Sequence, residues 1–397
     1  MKGNHKNLFF ILAVVFTLIA LVIASPVMAE SGIFKDKIKI GTYLAFTGPA
    51  AGVGKTIQAG IQSYLNEVNK QGGIHGRKIE MLYEDDAYQP AKTIAATKKL
   101  VEVDEVFALL SPAGAPTTLA ALPYIVEQKV PLLFPYAPDT GLVDPFKKNV
   151  FMITPVFYTQ YYYIADYAIR VLGAKKIVQI SQAGSPSGPQ SVNDRLKEAG
   201  LSVVGEEVYK ITETDFSSMI MRLKNKNPDF CVFGTITRPG SLMAKEAQKQ
   251  GWKPTLGFMS HASITDVEFV RLAGEAAEGF LALEVMKSPD SNDPEVVEFR
   301  ERLKKYYPDI EPGMFAMYGY VSAKIFCEAM KKAGKEPNRD KLITAIESMS
   351  GVNIGFMAPL TFSPTQHQGN LNARVVKVKG GKWIPITGWL KLPNRVK

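Results

Sequence analysis

Lys37-Ile-Lys-Ile-Gly-Thr-Tyr-Leu44 alternates polar and apolar residues, the period of a half-buried strand. Behind it, Ala45 to Gly54 is a loop of small residues. Thr56 to Lys70 then sets Ile57, Ile61, Tyr64, Leu65 and Val68 at helical spacing. Gln71-Gly-Gly-Ile-His-Gly76 breaks that helix. The unit recurs. Lys78–Tyr83 reads as a strand and Pro90–Val103 as a helix with proline in its first turn. Val106–Leu110 is a strand, Thr117–Gln128 a helix and Val130–Phe134 a fourth strand. Strands that alternate with helices must be joined by crossovers, so the sheet is parallel. The nearly all-apolar strands predict helices on both of its faces.

The rhythm restarts after Thr154. Helices are expected at Thr159–Leu172, Pro189–Ala199, Phe216–Lys226 and Ser241–Gly251. Strands are expected at Lys176–Ile180, Leu201–Tyr209, Asp229–Gly234 and Thr255–Phe258, with Glu278–Val285 a strand or connector. Helices follow at Pro294–Tyr307, Met314–Ala333 and Arg339–Met349. The tail has the pattern of a hairpin, Val375–Val378 and Trp383–Ile386, about Gly380-Gly381. The expectation is an α/β protein of two doubly wound parallel-sheet units.

Upstream, Lys2 and Lys6 precede an apolar run, Leu8 to Ala24, and Val27-Met28-Ala29 offers a small-x-small site. That is the pattern of a secretory signal peptide cleaved after Ala29, which predicts a periplasmic or extracellular protein. Removing residues 1–29 from the 397 leaves 368, enough for two lobes. The net charge falls from +9 to +7 with Lys2 and Lys6 gone. The remaining Lys and Arg are scattered, with no basic block or aromatic-interleaved stripe, which argues against nucleic acid as a partner. Cys231 and Cys327 sit in apolar contexts, one mid-strand and one mid-helix, and read as separate buried thiols. The four His are far apart and no His or Cys pair has metal-ligand spacing. No cofactor is implied.

In open α/β sheets, ligands sit beyond the carboxyl ends of the strands. The loops to watch are therefore Phe46–Gly54, Ser111–Pro116, Pro135–Thr140, Ser181–Gly188, Thr235–Arg238 and Ser260–Ala262. Pro49-Ala-Ala-Gly-Val-Gly54-Lys55-Thr56 is one residue short of a phosphate-binding loop. Pro49 stands where the first glycine is needed, lacks an N–H and fixes φ, so nucleotide binding is rejected. Asp85 and Asp86 are adjacent on an extended chain and point opposite ways, so they do not form a shared carboxylate site. His261 lies in a candidate loop with no nucleophile partner. No catalytic residue is assigned, and the chain reads as a non-enzyme.

Several stretches together resemble the leucine/isoleucine/valine-binding protein family, the type I periplasmic solute-binding proteins of ABC importers. They are Ile38-Lys-Ile-Gly with Thr47-Gly-Pro, Asn69-Lys-Gln-Gly-Gly-Ile-His-Gly-Arg-Lys, Tyr83-Glu-Asp-Asp with Pro90, and Leu119-Ala-Ala-Leu-Pro. Leu272-Ala-Gly-Glu-Ala-Ala-Glu-Gly and Leu360-Thr-Phe-Ser with His367-Gln-Gly continue the series. The resemblance implies two lobes joined by a three-strand hinge: residues 36–155 plus 286–360, and 156–285 plus 361–397. It also implies a monomer that closes on a small solute and delivers it to an inner-membrane ABC permease.

The ligand contacts it implies fall on Ala113, Gly114 and Ala115 for a carboxylate, and on Tyr136, Ala137 and Pro138 after the fourth strand. Ser185, Thr235 and Ile236 follow from the second lobe, with Ser260 and His261 where amino-acid binders supply an acid. Phe46, Phe157 and Tyr158 are expected to add aromatic walls. The cysteine pair common in branched-chain binders is missing; Tyr88 and Ala113 stand in those places. The ligand expected is a small amino-acid-like molecule or a carboxylate or amide, with an aromatic body among the options; the missing acid for an ammonium favours a neutral or anionic one. Two other function classes fit the same reading less directly: a ligand-presenting sensory module and an exported amidase-type enzyme.

Overall fold

The computed structural model describes residues 30–393. The expected signal peptide lies outside the described residues. In chain order the first unit runs β1 (Lys37–Leu44), α1 (Ala51–Lys70), β2 (Lys78–Asp85), α2 (Pro90–Lys98), β3 (Leu109–Leu110), α3 (Ala115–Glu127), β4 (Leu132–Leu133) and β5 (Val150–Phe151). The five strands form one all-parallel sheet in the order β2-β1-β3-β4-β5. Its central strands are buried, as the unbroken apolar runs require.

The second unit continues with α4 (Phe157–Arg170), β6 (Ile177–Gln182), α5 (Ser187–Glu198), β7 (Gly205–Tyr209), α6 (Ser217–Lys224), β8 (Phe230–Phe233), α7 (Thr237–Lys249), β9 (Gly257–Ser260), α8 (Val267–Ala273) and β10 (Leu281–Glu284). The chain then returns to the first unit as α9 (Pro294–Tyr306), α10 (Met314–Ala333) and α11 (Arg339–Glu347). Both α9 and α10 pack on α1. It ends in the second sheet with β11 (Asn372–Lys379), β12 (Lys382–Pro385) and β13 (Leu390–Lys391). That sheet is ordered β12-β11-β10-β9-β8-β6-β7, parallel up to β10, with β11 and β12 added antiparallel. The expected architecture of two doubly wound α/β lobes holds.

Three segments cross between the lobes and are tied to one another. The Met152 N–H donates to the His367 carbonyl at 2.9 Å, and the Gly369 N–H to the Met152 carbonyl at 2.8 Å. The Asn370 amide reaches the Val285 carbonyl at 3.2 Å.

Some expected boundaries move. The strand expected from Val106 is regular only at Leu109–Leu110; Phe107 and Ala108 still bond to β1, but the Arg339 guanidinium from α11 takes the Val106 and Phe107 carbonyls at 3.0 Å each. The strand expected over Thr255–Phe258 shifts to Gly257–Ser260, since the Gly257 N–H closes a turn onto the Pro254 carbonyl. Helix α1 begins at Ala51 rather than Thr56; Gly54 lies so close to the Ala45 carbonyl that a Cβ there would stand 2.0 Å from it. β5 and α8 were not expected. α8 is short, and its clearest mark is Asp266, whose carboxylate caps it by accepting the Glu268 N–H at 2.9 Å. Cys231 on β8 and Cys327 on α10 are free and buried, as expected.

Candidate functional site

The carboxyl ends of both sheets face one another across a cavity of about 720 Å³, counted to its open mouth. The first lobe contributes Ala113, Gly114, Ala115, Tyr136 and Pro138 from the expected set. The second contributes Phe157, Ser185, Thr235, Ile236 and His261. These ten line one space although they come from six separate loops and helix starts.

Four expected residues lie elsewhere. Phe46 is turned away, its ring edge-on to Tyr83 at 6.2 Å and its N–H donated to Asp85 Oδ1 at 2.8 Å. Ala137 is fully buried in the first lobe's core, because alternate residues of the extended segment face opposite ways. Tyr158 donates its hydroxyl to Asp194 at 2.7 Å on the α4–α5 face; adjacent helical positions are about 100° apart, so Phe157 faces the cavity and Tyr158 does not. Ser260 is the last residue of β9, with its side chain buried on the opposite side from His261.

The sequence reading missed Tyr88, Tyr209, Ser263 and Phe315 as lining residues, and it covered Gln182 only as part of the Ser181–Gly188 loop. Tyr209 ends β7, so the strand-end rule reaches it if it includes the last strand residue, as it already does for Gln182 at the end of β6. Tyr161 follows Phe157 by one helical turn and shares its face. Tyr88 is set by a turn with positive φ at Ala87 (48°) and Tyr88 (58°), which no residue preference announces. Asp85 and Asp86 build that turn. Asp85 accepts the Phe46, Thr47 and Ala87 N–H groups, and Asp86 accepts the Tyr88 N–H and the Thr93 hydroxyl. Burial pushes the Asp85 carboxyl up, but the hydrogen bonds outweigh it and hold it down at about 2. The two carboxylates serve the backbone and form no shared acid pair.

No Asp, Glu, Lys or Arg lines the cavity among the described residues. Its polar groups are neutral. Burial pushes the Tyr88 phenol up to about 12 and raises Tyr136, Tyr161 and Tyr209 as well, so all four stay protonated. His261 is 3% exposed, stacks on Tyr161 at 5.1 Å and lies 4.6 Å from the Phe157 ring. Burial drives its pKa down to about 3. The Ser263 N–H donates to His261 Nδ1 at 3.2 Å, so the ring's one proton sits on Nε2.

This shift makes a signed prediction. The unfolded imidazole takes a proton near pH 6.5, whereas the native one waits until about 3. Stability from this group is therefore complete above pH 6.5 and lost as pH falls toward 3, at up to about 1.4 kcal/mol per pH unit. Urea unfolding of the wild type and His261→Asn should differ in slope by one proton over that range. Parallel pH profiles would contradict the assignment.

Hydrogen bonds span the cleft beside the cavity. Gln182 Nε2 donates to the Tyr88 oxygen at 3.0 Å, the Tyr136 hydroxyl meets Ser263 Oγ at 3.1 Å, and Ser187 donates to Asp139 at 2.7 Å. Asp266 of the second lobe accepts the Met314 N–H at the start of α10 at 2.9 Å. Gly313 leaves the room for that contact; a Cβ there would stand 2.5 Å from Asp266 Oδ2.

Residues 37–382 match the family described as periplasmic binding protein. The chain belongs to this family of exported solute-binding components of ABC transporters. A Leu/Ile/Val-binding protein homologue of Brucella melitensis is 24% identical over 373 residues, covering 91% of this chain and 97% of its own. A fatty acid ABC transporter substrate-binding protein from Thermomonospora curvata shares the fold at a TM-score of 0.82 with 22% identity, over 94% of this chain and 96% of that one. A branched-chain amino acid ABC transporter structure from Thermus thermophilus with bound valine gives 0.81 with 20% identity, over 90% and 97%. The resemblance read from the sequence motifs is thereby established at the level of family and fold.

Proposed function

We propose that this chain is the extracytoplasmic solute-binding component of an ABC importer of the branched-chain amino acid type. It traps a small carboxylate or amide with an apolar body between its lobes and hands it to a membrane permease. The observation that carries this reading is a cavity lined from both lobes, aromatic on its walls and free of charged side chains among the described residues. The names of the relatives point the same way: valine and fatty acids share a carboxylate on an apolar body.

Export through cleavage after Ala29 and action as a monomer belong to the same proposal. So does the division of the lobes at residues 36–155 plus 286–360 and 156–285 plus 361–397. The mechanism is hinge closure. Solute docks on one lobe, the crossing segments near Met152, Val285 and Gln368 bend, and the second lobe adds its contacts. The bridges Tyr88–Gln182, Tyr136–Ser263, Asp139–Ser187 and Asp266–Met314 then hold the closed form. A ligand drives closure only by the affinity difference it has for the two forms. The protein performs no chemistry on its ligand: the cavity holds no nucleophile beside a base, and its histidine and tyrosines stay neutral.

Native mass spectrometry of the mature protein, followed by a thermal-shift screen of branched-chain amino acids, carboxylates and short amides, tests the reading. A solute at 100 times its Kd should add about 2.7 kcal/mol of stability. Tyr136→Phe removes one cross-cleft hydrogen bond worth about 1 kcal/mol and should weaken affinity about five-fold, mostly through faster release. An unchanged off-rate in that variant would show that the Tyr136–Ser263 contact does not hold the closed form.

A further inference from the structure

The cavity carries no charged side chain among the described residues, and several of its hydrogen-bond donors have no partner, which points to the ligand's chemistry. Helix α3 starts at its wall. The first-turn N–H groups of Ala115 and Thr117 have no acceptor among the described residues, while Pro116 between them has no N–H. The Tyr88 ring lies against this helix start, where a Cβ on Gly114 would stand 2.8 Å from its Cε2.

The Tyr88 proton is free to act there, by the following count. The Tyr209 oxygen accepts the Ile236 N–H at 3.4 Å and the Thr235 hydroxyl at 3.2 Å. Its own proton points to Gln182 Oε1 at 3.4 Å. The Gln182 NH₂ then faces Tyr88 and donates to its oxygen. Tyr88 receives a hydrogen bond from the protein and has no acceptor for its own O–H. His261 lines the same cavity from the second lobe. His261 is 97% buried by the complement of its 3% exposure, its Nδ1 is occupied by the Ser263 N–H, and its Nε2–H has no acceptor among the described residues.

A carboxylate has lone pairs for several donors at once and is favoured at a helix N-terminus. An ammonium would find donors facing it and no carboxylate. The Tyr136, Phe157, Tyr161 and Phe315 rings leave an apolar space for the rest of the molecule. We infer that the ligand is an apolar monocarboxylate with a second acceptor oxygen and no cationic group, of the 2-oxo acid kind. The first turn of α3 and Tyr88 hold its carboxylate, and His261 donates to its second oxygen. This rests on the solute-binding reading above and names the ligand class within it.

Titration calorimetry on the mature chain tests it with matched pairs: 4-methyl-2-oxopentanoate against leucine, phenylpyruvate against phenylalanine, and phenylacetate as an acid without the second oxygen. The oxo acids should bind at least ~100-fold more tightly than their amino-acid partners, the loss expected when a charge is buried unpaired. Tyr88→Phe should weaken every acid by ~10-fold. His261→Phe should weaken the oxo acids by a similar factor and leave phenylacetate unchanged, a split that general damage to the fold would not produce.

Leucine or phenylalanine binding as tightly as its oxo partner overturns the inference and leaves the solute-binding reading standing. The same holds if native mass spectrometry finds a co-purified uncharged solute. If the folded protein binds no member of the panel and carries no solute, the solute-binding reading falls with it.

Discussion

Gly60→Val is expected to destabilise the protein by about 3 kcal/mol and lower its melting temperature by several degrees in scanning calorimetry. Helices α1 and α10 cross at Gly60 and Gly319. A Cβ on Gly60 would stand 1.8 Å from the Ala316 carbonyl oxygen, and one on Gly319 would stand 2.3 Å from that of Ile57. Both obstacles are backbone, and the helices cannot part freely because Ile57, Ile61 and Tyr320 are buried beside the crossing. Helix propensity alone would favour alanine over glycine by about 1 kcal/mol. Contact should reverse that sign at Gly60, so Gly60→Ala also destabilises. Gly52, exposed in the first turn of the same helix with nothing near its missing Cβ, is the control. Gly52→Ala should be neutral or slightly stabilising. The crossing also aims the site: α1 carries Val53 and Gly54 to the cavity, and α10 carries Phe315. A Gly60 variant that still folds should bind its solute more weakly. A wild-type melting curve for Gly60→Val would mean the helices are not in backbone contact.

Arg374→Ala is expected to cost about 3 kcal/mol, and more at pH 8 than at pH 5. Glu284 and Arg374 stand directly opposite each other in the β10–β11 ladder and form an ion pair. Glu284 is 4% exposed. Burial pushes its carboxyl up to about 7 even against the pull of Arg374. Removing the guanidinium leaves a buried carboxylate that must either stay charged without a partner or take a proton. A carboxyl whose native pKa lies above its unfolded value contributes most when protonated. Its contribution is full below about 4.5 and lost as pH rises through about 7. Arg374 also lies over the Trp389 ring at 4.9 Å, so part of the loss is packing. Denaturant unfolding at the two pH values, with Glu284→Gln and the double variant, separates the parts. Glu284→Gln should be mild, and in the Arg374→Ala background it should restore much of the loss. Equal destabilisation at both pH values, with no rescue, would locate the effect in packing alone. The pair sits just before the crossing segment at Val285, so its loss should also loosen the join between the lobes.

The sequence patterns that proved readable were those set by local physics. β1 spans the same eight residues that its alternation marks, although Ile40 to Leu44 are all buried, and Met314–Ala333 is helical from end to end as its spacing requires. The strand-end loops hold nine of the ten expected lining residues, far apart in the chain, because a parallel sheet puts all those loops at one edge. The rule could not choose orientation. Phe157 and Tyr158 are chemically alike and adjacent; only the position of α4 against the second sheet turns one ring into the cavity and the other toward Asp194.

By itself the amino-acid order determined the alternation of strands and helices, the parallel sheets, the two-lobe family and the edge at which ligands meet them. Periodicity and turn chemistry act between near neighbours, and they are written in the chain. Which side chains see the ligand was decided in three dimensions. Phe315 reaches the cavity only because α10 returns to the first lobe, and the Gln182 amide reaches the Tyr88 oxygen only because the ends of the two sheets meet there. Such contacts join residues that are far apart in sequence, and burial, which sets the charge state of His261, is a property of the assembled fold rather than of any segment.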